Sequence, residues 1–189
     1  MLGVEDIMSI EKTKINRKEI TNCITISAIS YLVHKRVSCF REIGLKEWGR
    51  RRADIVGISM KSKKITIIEV KSCLADFKAD KKYEEYLAYC NIFYIAVPSG
   101  SDWINEYKDG LKAIGIGIME LTKCGTIKVK VGAKQRTMKK KIKYEMLIRL
   151  AWRSGTYSLR THLRRKMATT ASGMNYQDLV SRNLLPNNK

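Results

Sequence analysis

Two β-branched apolar runs, each carrying a single carboxylate, most constrain what this chain can fold into. Residues 53–60 read ADIVGISM and residues 64–70 read KITIIEV, with the polar stretch Lys61-Ser62-Lys63-Lys64 closing the gap between them. Runs of this length and composition, bounded by turn chemistry, predict two neighbouring strands. Asp54 and Glu69 then lie inside strand sequence, where a charge is costly unless it has a partner. In adjacent strands they would sit side by side near one end of the sheet. Lys71 stands two residues beyond Glu69 and so projects from the same face of its strand. Two facing carboxylates repel unless one is protonated or a cation bridges them. Magnesium takes hard oxygen ligands, usually one or two protein carboxylates with water and phosphate completing the shell. The carbonyl of Val70, between Glu69 and Lys71, offers a further oxygen. Asp54, Glu69 and Val70 therefore read as a divalent-metal site. The Lys71 ammonium reads as the group that holds an attacking water and offsets charge during phosphodiester hydrolysis. The plainer alternative is a Glu69–Lys71 ion pair at a strand end, with Asp54 capping a turn.

The rest of the chain supplies a frame for these strands. Residues 16–36 predict a helix, with Ile20, Cys23, Ile24, Ser27, Ala28, Tyr31 and Leu32 recurring on one face. Residues 37–45 predict a strand. Residues 76–90 predict a second helix, whose start Asp76 or Asp80 would cap or charge. Its apolar face would hold Phe77, Tyr83, Leu87 and Cys90. Strands follow at 92–97, 114–120 and 126–131, with a short helix at 103–112. This order predicts an α/β sheet layered by helices. After residue 131 the texture changes to a basic, mainly helical extension, with helices expected at 143–153 and 157–167. Residues 1–131 are thus the expected core and 132–189 the extension.

Charge narrows the function class. The chain has 189 residues, with 37 Lys+Arg against 18 Asp+Glu, a net charge of +19. Residues 132–189 alone hold 14 Lys+Arg against 2 Asp+Glu. Such an excess points to a polyanion, nucleic acid before an anionic membrane surface. Tyr157, Arg160, Arg164 and Arg165 interleave aromatic and cationic side chains at helical spacing, suited to contact with a phosphate backbone. The extension also leaves room for a homo-oligomer contact or a protein partner. The five cysteines form no CxxC pair and no cluster with His34 or His162, and this spacing argues against a zinc site or a disulfide framework. Apolar surroundings predict that several of them are buried thiols, which suits a reducing cytoplasm. No apolar run reaches the roughly 18 residues of a membrane span, and the acidic N-terminus does not read as a signal peptide.

One resemblance sharpens this reading. Arg51-Arg52-Ala53-Asp54-Ile55-Val56, Ile67-Ile68-Glu69-Val70-Lys71-Ser72, Ala75-Asp76-Phe77-Lys78-Ala79-Asp80-Lys81-Lys82 and Tyr86-Leu87-Ala88-Tyr89-Cys90-Asn91-Ile92-Phe93-Tyr94-Ile95-Ala96-Val97-Pro98 together resemble the PD-(D/E)XK nuclease superfamily. Within it, the string is most similar to the MmcB-like DNA repair family. The resemblance covers about residues 17–120. It implies a restriction-endonuclease-like fold, a mixed sheet of four or five strands flanked by helices. It also implies magnesium-dependent DNA cleavage in repair, recombination or phage-type DNA processing, with manganese able to substitute. Asp54, Glu69 and Lys71 match the family's catalytic positions. Ala53 departs from the proline in the motif's name.

Further candidates surround this trio. An additional acid is often found upstream in the superfamily. Glu42, on the neighbouring strand, is favoured over Glu19, whose position suits a helix start. The alternative for Glu42 is an exposed edge residue paired with an arginine. Arg52, Lys78, Lys81, Lys82 and Tyr86 are the expected DNA contacts, with Arg50 bordering them and Trp48 read as packing rather than as a base-stacking platform. The competing function is a catalytically silent nuclease-fold protein that binds DNA or serves in assembly.

Overall fold

The segment Ile65–Val70 is buried along its whole length. A strand of this kind needs cover on both faces, and the architecture follows from that need. The computed structural model describes residues 16–46, 51–80 and 83–171, with side chains to residue 155. These residues fall into two compact units that divide between Tyr144 and Glu145.

The first unit is built on one six-stranded sheet. Its strands are β1 (Val37–Gly44), β2 (Arg52–Ser59), β3 (Ile65–Val70), β4 (Ile92–Val97), β5 (Gly117–Leu121) and β6 (Ile127–Val131), lying side by side in chain order. The β1–β2, β2–β3 and β5–β6 pairs are antiparallel, whereas β3–β4 and β4–β5 are parallel. The sheet is therefore mixed and flanked by helices, with the β5–β6 hairpin taking it to six strands.

Helix α1 (Arg17–His34) starts at a capping box. The Asn16 side chain accepts from the Lys18 amide at 3.2 Å, and Glu19 accepts from the Asn16 amide at 3.1 Å. Glu19 is thus used by the helix start and is remote from Asp54 in role. Ile24, Ala28 and Leu32 of α1 pack on Ile55, Ile68, Val70, Ala96 and Met119. Each fully buried isoleucine, leucine, valine or methionine of this set contributes about 1.5–3 kcal/mol. Thr25 occupies the buried stripe where Cys23 was expected, and Cys23 is exposed. Of the five thiols, Cys90 is fully buried, Cys39 and Cys73 are half-buried, and Cys23 and Cys124 are exposed.

Strand alternation sends Glu69, Ile95 and Ile118, which pair in register, to the face away from α1. That face meets α2 (Leu74–Ala79), a 3-10 helix at Tyr83–Tyr89, and α3 (Ile104–Ala113). Phe77 of α2 joins the two helices through Trp103 and Tyr107, with ring centroids 5.4 and 4.8 Å away. The single helix expected at 76–90 is therefore two elements. The chain leaves helical geometry at Asp80 (φ −94°, ψ 77°), which caps the C-terminus of α2 rather than the start of a helix. Asp76 serves the start instead: its carboxylate accepts from the Ser72 amide at 3.1 Å.

The two helices expected in the extension are one, α4 (Lys140–Ala171). Gly155 lies inside it, since one glycine costs only about 1 kcal/mol relative to alanine and does not by itself end a helix. Among the described residues no helix is long and apolar enough to cross a membrane.

Candidate active site

The β2–β3 ladder runs from Ile58–Ile65 to Ile55–Ile68 and stops one pair short of Asp54 and Glu69. Beyond that point the two acids replace the ladder with side-chain bonds. Glu69 Oε1 accepts from the Asp54 amide at 3.2 Å. Asp54 Oδ2 accepts from the Val70 amide at 2.8 Å. The strands fork here, and each carboxylate satisfies an amide that would otherwise be orphaned. On the other side of β3, the Lys71 amide continues the sheet to the Ala96 carbonyl at 2.9 Å. The three expected residues therefore meet at one end of the sheet, on the face away from α1.

Burial sets their electrostatics. Glu69 is 3% exposed and Lys71 6%, while Asp54 is half-buried and keeps some access to solvent. Burial, and then the Asp54 charge, push the Glu69 carboxyl up to about 9, against the opposing effects of Lys71 and the Asp54 amide. Burial also raises Asp54, opposed chiefly by the Val70 amide and by Lys71. Glu69 thus keeps a proton at neutral pH, the expected response of facing carboxylates without a bridging cation.

Lys71 has a stronger partner than Glu69. Its Nζ lies 2.8 Å from Asp80 Oδ2 and 4.0 Å from Glu69 Oε2. Burial lowers the Lys71 pKa, but the hydrogen bond and charge of Asp80 outweigh it and the net shift is upward. Lys71 is therefore an ammonium, available for electrostatic work and not as a base. Asp80 is in turn bound by Arg51, Nη1 to Oδ1 at 3.2 Å, and Arg51 Nε lies 3.3 Å from Glu85. Sequence reasoning missed Asp80 and Arg51. The only signal was that the ADKK string follows the E-V-K triplet closely. Its return to Lys71 depends on the shortness of α2.

The other candidates divide. Glu42 lies on β1 opposite Asp54, in the gap of a register that pairs Arg41 with Ile55 and Ile43 with Ala53. Its backbone is left-handed (φ 58°) and its carboxylate pairs with Arg52. Its charge adds to the upward push on Asp54, so it borders the site electrically while its carboxylate is paired with an arginine. Arg52 and Lys78 are exposed, as a backbone contact requires. Tyr86 is a correction. It is 4% exposed, stacks on Phe93 with centroids 5.6 Å apart, and directs its hydroxyl to the Arg52 carbonyl at 3.5 Å. A packed core tyrosine cannot touch a substrate duplex. His34 bonds the Ser30 carbonyl of its own helix and takes no part in the site. Trp48, Arg50, Lys81 and Lys82 lie outside the described residues, as do the side chains of Tyr157, Arg160, His162, Arg164 and Arg165.

The donor set fits a hard divalent cation. Two converging carboxylates, one of them holding a proton against its ordinary preference, gain from a shared positive charge. Among the described residues no group of three or more His, Cys, Asp or Glu side chains is arranged to hold a metal. The pair would rely on the Val70 carbonyl, water and substrate for its remaining ligands.

Comparison with known proteins finds a matching family model and a similar fold. The family model described as DNA repair protein MmcB-like matches residues 10–103. That stretch contains Asp54, Glu69, Lys71 and Asp80. A solved structure of a protein of unknown function from Silicibacter pomeroyi is similar with a TM-score of 0.59 at 20% identity, covering 82% of this chain and 95% of that one. At this identity the likeness concerns the fold alone. No curated protein matches the chain.

Proposed function

We propose, from the match to the MmcB-like DNA repair family model over residues 10–103, that the protein is a metal-dependent deoxyribonuclease of the PD-(D/E)XK type acting in DNA repair. The observation that carries this reading is the fork between β2 and β3, where Asp54 and Glu69 converge beside the Lys71 ammonium. Asp54, Glu69 and the Val70 carbonyl would hold one magnesium ion. Bound there, the cation supplies Lewis acidity and lowers the pKa of a coordinated water. Lys71 orients the attacking water oxygen and offsets the charge that builds on the phosphoryl oxygens, an effect of about 3–4 kcal/mol for a well-placed donor. Arg52 and Lys78 engage the phosphate backbone, and the chain's excess positive charge draws the duplex in.

A second reading has its own observation. Glu69 and Lys71 are buried, and the Lys71 ammonium already has Asp80 as its counter-charge, so the network holds together without a ligand. A catalytically silent DNA-binding or assembly protein with the same fold suits such a network. One experiment separates the two. The purified protein is incubated with magnesium or manganese and with plasmid, linear, single-stranded and branched DNA. Cleavage of any of these that is lost with EDTA and in Glu69→Gln supports the nuclease. Retained binding with no cleavage supports the silent protein.

A further inference from the structure

We infer that Asp80 is a positioning residue for Lys71: it sets where the ammonium stands relative to Glu69. The inference rests on the nuclease reading and names a residue that acts through the trio. A lysine has a flexible four-carbon stem and three N–H donors. Without Asp80, the acids left in electrostatic reach of its ammonium are Glu69, Asp54 and Asp76, and closing on either of the first two would make it compete with a cation for their oxygens. Asp80 prevents this collapse. It takes the ammonium at 2.8 Å, which leaves Glu69 at 4.0 Å, beyond hydrogen-bond distance. The remaining N–H donors stay available to a water beside the two acids.

The holding group is itself held. Asp80 caps α2, so its backbone is fixed by that helix. Its second oxygen is engaged by Arg51 at 3.2 Å. Arg51 is anchored by Glu85 at 3.3 Å, and its guanidinium lies over the Tyr86 ring, 5.9 Å from the centroid. The relay Glu85–Arg51–Asp80–Lys71 ties the 3-10 helix and the start of β2 to the Lys71 amine. A chain of paired groups of this kind locks a rotamer-rich side chain at one position. It also gives buried Tyr86 a role: it is the floor on which Arg51 rests.

The test is a double-mutant cycle on magnesium-dependent cleavage, with Asp80→Ala, Lys71→Ala and the double variant. Asp80→Ala should lower kcat on the order of 100-fold, the scale of a misplaced catalytic group. KM for DNA and the affinity for manganese should stay within about twofold. In the Lys71→Ala background, Asp80→Ala should cost nothing further, because the group it positions is gone. A merely structural Asp80 would lose rate equally in both backgrounds, and that result overturns the inference. Asp80→Asn, which keeps the side-chain shape, decides the matter if the alanine variant does not fold. It should lose most of the rate, and Asp80→Glu should recover part of it. Wild-type kinetics in Asp80→Asn overturn the positioning role while leaving the nuclease intact. A wild-type protein that binds DNA and cuts none overturns both.

Discussion

Glu69→Gln should make the protein progressively more stable than the wild type as pH rises. In the folded chain the Glu69 carboxyl titrates at about 9; the ordinary value is 4.5. Below that ordinary value the acid is protonated in both states and adds nothing to the pH dependence. Between the two values the unfolded chain releases the proton and the folded chain keeps it. The unfolded state is then favoured by about 1.4 kcal/mol per pH unit, and the slope ends near the folded value. Glutamine is neutral throughout, has nearly the same shape, and can still accept from the Asp54 amide. Between about pH 5.5 and pH 8 the variant should therefore gain on the order of 3 kcal/mol relative to wild type. For a chain of this length that corresponds to a widening of about 6–12 °C in the melting difference. The assay is paired thermal or urea melts of both proteins in EDTA across that range. Parallel pH profiles would refute the reasoning, since they would mean that Glu69 ionises freely in the fold.

Manganese binding near neutral pH should release about one proton, because the cation displaces the one Glu69 holds; calorimetry in two buffers of different ionisation enthalpy measures it. Asp54→Asn should weaken that binding at least about tenfold, read in the same titration. Asn91→Ala should destabilise by about 2–3 kcal/mol in urea melts. It leaves the buried Ile65 amide and the Arg136 carbonyl without their partners at 2.9 and 3.0 Å. Gly117→Ala should cost about 1–3 kcal/mol, because its methyl would meet the Tyr94 ring and come within 2.7 Å of the Ala133 amide nitrogen.

The strands were legible because burial on both faces demands continuous β-branched sequence, and Ile65-Thr66-Ile67-Ile68 can be little else. The Asp54–Glu69–Lys71 convergence was legible for the opposite reason: each residue is a charge where charge does not belong. What could not be read was any pairing created by a change of direction. Asp80 looks like one more polar residue on a basic helix until α2 ends after Ala79. Tyr86 shares the spacing of a surface contact, yet it packs on Phe93, because a 3-10 helix presents a different residue to the sheet than an α-helix does. Glu42 was placed on the correct neighbouring strand, and its alternative reading, an edge residue paired with an arginine, is the one its bond to Arg52 matches; its left-handed backbone carries no sequence signature. On α1, Cys23 and Thr25 fit the apolar spacing about equally well, and the buried position went to the threonine, whose hydroxyl is satisfied by the Thr21 carbonyl at 2.7 Å.

The fork between β2 and β3 has an evolutionary consequence. The oxygens suited to gripping a cation already serve as acceptors for the amides of Asp54 and Val70, so architecture and chemistry draw on the same atoms. A relative without the proposed chemistry would still be held by its fold to an acceptor oxygen at each position, which an amide side chain supplies as well as an acid. Persistence of an acceptor at each position therefore measures inheritance of the sheet's end, and persistence of the acids themselves measures inheritance of an activity. Lys71 and its anchor Asp80 are the positions where abandonment of the chemistry would first leave a trace.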